Sequence, residues 1–437
     1  MSATAALLDF AYAAHDLPAS VRATTADLLA DTLAVGAAGA ASPAARSVSE
    51  AVAAWGKGSD ARPIGLTGRL PAPSAAFFGG FAVHCLEWDA VHEPAVVHAL
   101  SVVTAAVSAA IDRRGGCSED EALTAVAVGV DIASGLGIAA TSALRFFRPA
   151  TAGCIGAALA VARIERLDRA GFDDVLGLAY SACAGTMQAH VEGSVALPLQ
   201  VAAAARAAIT AVDLARAGLT GPHDALEGPF GYFRLIDEGD LATYTSELGK
   251  VWRIGEVSIK PYPSGRASHA TLSTLASLIH NGSIRADTVA TIHAQVPPLI
   301  ARLVDRPLAH AMAPAYARLC LPFLAAMMLR DGRIDPRRFT PESFGDAELQ
   351  ALAARLVVHV DDNPDPNALS PQRLTVTLID GTRISRPISG TLGSPGAPLD
   401  AAGTAAKRNL ARELADPAVD PRLFDAPLAY FTQPEAA

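Results

Sequence analysis

The chain has 437 residues, 51% apolar and 18% charged, which is enough for a large buried core and for two or more domains at ~150 residues each. Its formal net charge of −9, with no Lys/Arg cluster to track phosphates, argues against a nucleic-acid partner. The five cysteines are odd in number, far apart and lack a CxxC, so they predict neither a disulfide framework nor a zinc site, and they fit a reducing compartment.

The chain opens MSATAALLDFAYAAHDL, with Asp9, Asp16 and no basic stretch, unlike a secretory signal. Apolar runs such as 99–111 fall short of the ~20 residues that a bilayer span needs. The expectation is a soluble cytoplasmic protein with no membrane partner. From about residue 5 to 253 the pattern is helical almost throughout. Residues 18–35 predict a helix with Pro18 in its first turn, Val21, Leu28, Leu29 and Leu33 on one side, and Gly36 as its end. Residues 99–113 predict another, stopped by Gly115-Gly116. Ser118 with Glu121 reads as a capping box opening a helix through Leu136. Helices over 153–163, 173–185 and 199–218 follow, the last closed by Gly218.

The character changes after Lys260. Residues 289–296 and 356–362 read as strands and 314–329 as a helix. Residues 373–379 and 382–388 flank Asp380-Gly381, a strong two-residue hairpin signal. Residues 401–424 return to helix. The fold class is therefore mainly α. A large helical domain is expected from residues 1–261 and 400–437, with a smaller α+β lid from 262–399.

Chemistry concentrates in residues 81–100, FAVHCLEWDAVHEPAVVHAL, where His84, His92, His98, Glu87, Asp89, Glu93 and Trp88 lie among Ala and Val. Read as a helix, the stretch puts His84, Glu87, Trp88 and Val91 on one face. Glu87 and Asp89 would then lie roughly 200° apart, and both face one pocket only if the helix frays near Asp89, ahead of Pro94. A loop would deliver His98, with His92 and Glu93 on its surface. Three further windows are 145–153, 190–200 and 259–270. In the first, backbone N–H groups at a helix start near Gly153 are suited to a carboxylate. In the second, His190 and Glu192 would orient the 194–200 loop. The third, IKPYPSGRASHA, sets Lys260, Arg266 and His269 at the domain junction, where ligand sites favour forming. Arg266 could alternatively pair with Glu256. No metal-ligand spacing stands out; His84, Glu87 and His92 make a weak set. No phosphate loop or dinucleotide fingerprint occurs.

HCLEWDAVHEPAVVH, GLTGPHDALEGPFGY, KPYPSGRASH and ARLCLPFLAAMMLRDG, in this order and over about residues 5–425, resemble the MmgE/PrpD family. That family includes 2-methylcitrate dehydratase, cis-aconitate decarboxylase and iminodisuccinate epimerase. The resemblance implies a helical domain with a lid, a homodimer, no cofactor, and chemistry at a carbon next to a carboxylate. Such a C–H is weakly acidic, so a base needs partners where enediolate charge develops. By this reading His98, Lys260, Asp89, Glu87 and His269 are catalytic: His98 moves the proton, Asp89 or Glu87 orients it, and His269 is a second proton carrier. Arg266, His84, Trp88, Val91, Leu197 and Phe323 line the substrate site.

This chain departs from the family pattern at several positions. Glu87 and Asp89 stand for an aspartate pair, and Ala90 and Val91 replace the Asp and Thr that follow. Ala99 replaces a proline, and Phe147 or Arg148 a histidine. Leu197 falls on the lysine of the G-T-M-T-K segment and Phe323 on a tyrosine. The expectation is a lyase of the dehydratase type with a pocket more apolar than the family norm and a substrate with fewer carboxylates than a tricarboxylate. The alternatives are an isomerase or epimerase, or a diverged member that shapes or binds a larger apolar intermediate.

Overall fold

Small side chains set the architecture of the larger body. The structure, a computed structural model, describes residues 2–365 and 367–434. The helices Ala99–Arg114, Glu119–Ala139 and Arg148–Ile164 are buried almost end to end against one another and their neighbours. Crossings this close require glycine: a Cβ on Gly156 would stand 2.3 Å from the carbonyl oxygen of Gly129. The capping box of Ser118 and Glu121 is present, and Gly115 closes the preceding helix at φ 84°.

Packing also explains where the helices depart from their signals. The second helix, Ala19–Ala40, runs through Gly36. There a Cβ would press on Ile64 and Val83 at 2.7 and 2.9 Å, so the glycine serves a helix crossing and not a stop. The helix expected from Gly153 starts at Arg148, with Pro149 in its first turn. Gly153 is therefore mid-helix against Val102, and it offers no free N–H groups to a carboxylate. Glu119–Ala139 and Ala196–Arg216, at 21 residues each, are long and apolar enough to cross a bilayer, contrary to the reading from shorter runs. The surroundings of the first are protein, with 94% of its most apolar window buried.

The second core belongs to the lid. Its sheet runs in the order Leu356–Val360, Val289–Val296, Gln372–Leu378, Arg383–Ile388. The first pair is parallel and the others antiparallel, with Gly381 at φ 86° in the expected hairpin. Ile292, Ala294, Leu374 and Val376 face the helices His269–His280, Leu321–Asp331 and Ala347–Ala353. The single helix expected over 314–329 is two pieces, broken at residues 318–320. The fold is thus mainly α, a large helical domain with a smaller α+β one. The tail helix Ala401–Leu414 packs on Ala19–Ala40 of the helical body.

One short ladder organises the junction. Val91–His92 pairs antiparallel with Val257–Ser258, with Val91 opposite Ser258 and His92 opposite Val257. It draws the segment after His84 against the segment before Lys260.

Candidate active site

The Ala72–His84 helix ends at its last histidine, with Cys85 as cap, earlier than the sequence pattern suggested. Glu87 then takes φ 54°, the left-handed region that a non-glycine residue seldom occupies. The chain turns there, and two carboxylates that a helix would hold on opposite sides converge on one ammonium. Lys260 Nζ lies 3.3 Å from Glu87 Oε2 and 3.7 Å from Asp89 Oδ1. After the ladder a tight turn with Val96, also at φ 54°, is closed by His92 and Val97, which exchange backbone hydrogen bonds of 2.9 and 3.2 Å. It sets His98 at the start of the Ala99–Arg114 helix. His92 and Glu93 are not loop surface. His92 is fully buried on Glu256 at 2.8 Å, and Glu93 holds Arg266 at 2.7 Å.

Asp89 is the hub. Its Oδ2 lies 2.8 Å from His84 Nδ1 and 3.0 Å from His98 Nδ1, and Ser101 Oγ donates to it as well. His98 Nδ1 also lies 3.1 Å from the Ala90 carbonyl oxygen. A carbonyl only accepts, so Nδ1 carries the proton and Nε2 is left with its lone pair. Burial lowers the His98 pKa, and Lys260 assists against the pull of Asp89. Burial would lower His84 too, but Asp89 and Glu87 outweigh it and raise its pKa. Two imidazoles with ring centres 4.9 Å apart are thus driven in opposite directions. Burial opposes the charge on both acids. The histidines and Lys260 overcome it, lowering Glu87 to about 2 and Asp89 well below its usual range.

A cavity of about 80 Å³ lies beside this cluster, between body and lid. Its polar wall holds His84, Glu87, Glu93, His98, Arg266 and His190, and Val91, Leu144, Phe147, Met187 and Leu197 are part of a longer apolar one. Of the three replacements expected to make the site apolar, Val91 and Leu197 face the cavity. Phe323 does not: its ring is fully buried in the lid core against Phe339 and Phe344. Trp88 also stands behind the site. Its Nε1 donates to the Pro261 carbonyl at 3.2 Å, and Lys407 lies 5.5 Å above its ring. His269 does not line the cavity; it is fully buried, with Nε2 3.1 Å from Ser264 Oγ. Arg266 gives Nε and Nη2 to Glu93 and Nη1 to the Leu392 carbonyl, so its partner is not Glu256. Phe147 sits 5.7 Å from the ring of His84, and Arg148 is bound to Asp237.

Sequence reasoning passed over Ser101, Asp31 and Lys407. Ser101 carried a local signal, one helical turn past His98. Lys407 and Asp31 carried none. Their pair, 2.7 Å apart, forms only because the tail helix docks on Ala19–Ala40, and Lys407 then donates to the Trp88 carbonyl at 3.2 Å. His84, Asp89 and His98 present nitrogen and oxygen atoms within 4.8 Å of one another, the composition of a metal site. Their geometry is that of hydrogen bonds. Both Nδ1 atoms lie at hydrogen-bond distance from one Asp89 oxygen, and the Lys260 ammonium stands by the other.

Fold and site together define a two-domain protein of helical body and α+β lid with a proton-handling cluster where they meet. Residues 9–244 match the MmgE/PrpD N-terminal domain and residues 262–422 the MmgE/PrpD C-terminal domain. The chain belongs to the MmgE/PrpD family. It is 24% identical over 398 residues to the cis-aconitate decarboxylase-like protein oryM of Aspergillus oryzae, covering 84% of this chain and 82% of that one. It is 26% identical over 328 residues to the cis-aconitate decarboxylase of Homo sapiens, covering 72% of this chain and 67% of the relative. With the cis-aconitate decarboxylase of Mus musculus it shares 26% identity over 332 residues, 72% of this chain and 66% of the relative.

Proposed function

We propose that this protein is a lyase that takes a proton from a carbon next to a carboxylate or carbonyl of a small molecule, using its own side chains for that step. The geometry carries the reading: His84 and His98 line the cavity with both Nδ1 atoms on one Asp89 oxygen, and His98 keeps its Nε2 lone pair free. Their pKa shifts run in opposite directions. Environments that push two titratable groups apart mark a base and an acid. His98 Nε2 removes the C–H proton, and the C–H pair becomes a double bond to the neighbouring carbonyl carbon while the C=O pair moves onto oxygen, giving an enolate or enediolate. When the electrons return, the C–O bond at the β carbon breaks, and the departing hydroxide takes a proton from His84 to leave as water. Asp89 holds both rings. This assigns to His84 the second proton-carrier role that sequence reasoning gave His269.

The relatives support lyase chemistry, since those from Homo sapiens and Mus musculus are named cis-aconitate decarboxylases. The cavity's size suits a small acid and not a bulky intermediate, and Val91, Phe147 and Leu197 suit a substrate with fewer carboxylates than a tricarboxylate. A homodimer in a reducing cytoplasm is part of this reading, and light scattering would check the stoichiometry. The epimerase alternative draws on the same two imidazoles, one taking the proton and the other returning it.

The test is incubation in D₂O with a panel of hydroxy and unsaturated carboxylic acids, followed by mass spectrometry and NMR. Loss of water or carbon dioxide supports a lyase. Deuterium at carbon without either selects the epimerase. No exchange with any acid sinks both. Tight binding and turnover of 2-methylcitrate or cis-aconitate would overturn the apolar-pocket part.

A further inference from the structure

Most of the cations around the cavity are already matched. Arg266 is spent on Glu93, Arg148 on Asp237, and Lys260 on Glu87 and Asp89. Two arginines of the lid differ. Arg306 and Arg318 are each only 7% exposed, and among the described residues neither has an ion pair. Arg306 gives Nη2 to the His190 carbonyl and lies 4.9 Å over the Tyr316 ring, but its buried Nη1 has no acceptor. Arg318 lies 4.8 Å over Phe339, and its buried Nε has no acceptor. Neither lines the cavity itself, but each stands within two residues of its lid wall, Arg306 after Val304 and Arg318 before Leu319. His190, the partner of Arg306, lines the cavity from the helical body. Both also feel the charge of Glu87 across the junction.

A buried guanidinium without a counter-ion is costly, because desolvation is not offset. Arg266 with Glu93, Arg148 with Asp237 and Lys407 with Asp31 cancel as pairs. Glu87 and Asp89 set against Lys260, Arg306 and Arg318 leave one positive charge over, and His84 adds another whenever it holds its second proton. We propose that Arg318 and Arg306 are the carboxylate anchor of the site, and that its ligand carries one or two carboxylates. Guanidinium forks suit carboxylate geometry, and an anion from outside would supply the counter-ion that the chain lacks. The anchor rests on the proton-transfer reading only for its orientation: with a carboxylate held on the lid side, the neighbouring carbon faces His98.

Malonate is the probe, with binding measured calorimetrically at neutral pH. The wild-type protein should bind it. R318M and R306M should each weaken that binding by about tenfold or more. Ligand-free R318M should melt no lower than wild type, since removing an unmatched buried charge relieves a penalty where loss of a structural arginine would destabilise. R318K, which keeps the charge without the fork, should bind with intermediate affinity, and it decides the matter if R318M does not fold. No malonate binding by the wild type, wild-type affinity in the variants, or a lower ligand-free melting point in R318M overturns the anchor. H98Q separates the two readings: it should bind malonate like wild type yet exchange in D₂O about 10²–10⁴-fold more slowly, so the anchor can stand if the proton chemistry falls.

Discussion

His98 Nδ1 stands 3.0 Å from Asp89 Oδ2, and this contact settles which nitrogen of the ring is free. With the proton held on Nδ1 by Asp89 and the Ala90 carbonyl, Nε2 is the basic atom. The pH dependence follows. The base must be neutral, and His98 titrates below the ordinary imidazole value of about 6.5. The acid must be protonated, and His84 titrates above it. The kcat/KM profile should therefore be a bell with its plateau across pH 6.5. H98Q should lower kcat by about 10²–10⁴-fold. D89N should move both limbs of the bell to lower pH, because the Asp89 charge raises both histidines. A profile with a single limb, or one unmoved by D89N, contradicts the assignment.

Lys260 is the fully buried cation facing two buried carboxylates. K260M leaves both without it and should cost about 3–5 kcal/mol in a urea melt. Acid should act in the same direction. Glu87 is depressed to about 2, so its contribution is fully present above its unfolded value of about 4.3 and is lost as pH falls toward 2. His84 has the opposite sign. Its contribution is present below about 6.5 and is lost as pH rises through its raised folded value. A K260M protein as stable as wild type would contradict this account.

Gly39 positions the helix that carries His84. A Cβ there would stand 1.9 Å from the Ala82 carbonyl oxygen, so Gly39→Ala must push Ala19–Ala40 and Ala72–His84 apart. It should cost about 1–3 kcal/mol and, by shifting His84, reduce turnover as well. Thermal melts and kcat measured together check this. Full activity in a destabilised variant would show that the crossing does not control the site.

Leu197 and Phe323 both depart from the family pattern, but they should behave differently. Leu197 faces the cavity, so L197K should increase affinity for tricarboxylates such as cis-aconitate. Phe323 is sealed in the lid core, so F323Y should leave binding unchanged and cost about 1–3 kcal/mol for a buried hydroxyl without a partner. Binding isotherms and melts on the two variants separate the effects. Altered ligand binding in F323Y would return that position to the site.

Much of this molecule was legible in its sequence. The strand over residues 289–296, the Asp380-Gly381 hairpin and the Ser118 capping box are local signals, and they read through. The concentration of His84, Glu87, Asp89 and His98 in one segment was local too. Of the residues that the family resemblance added to them, Lys260 meets the acids, whereas His269 and Phe323 stand outside the cavity. The limits of the Ala19–Ala40 and Arg148–Ile164 helices did not, because Gly36 and Gly153 signal a helix end locally, while in the fold they serve as contact points between helices.

What the sequence by itself determined is the inventory: which residue types are present, in what local periods, and in what apolar company. Only the tertiary structure decided their partners. The left-handed turn at Glu87 and the ladder between Val91–His92 and Val257–Ser258 bring the acids to Lys260, and Arg266 is spent on Glu93. Arg306 and Arg318, unremarkable in the sequence, are left without counter-ions. The physical reason is that a charge is costly or useful according to what lies within a few ångströms after folding, and neighbours that close are mostly far away along the chain.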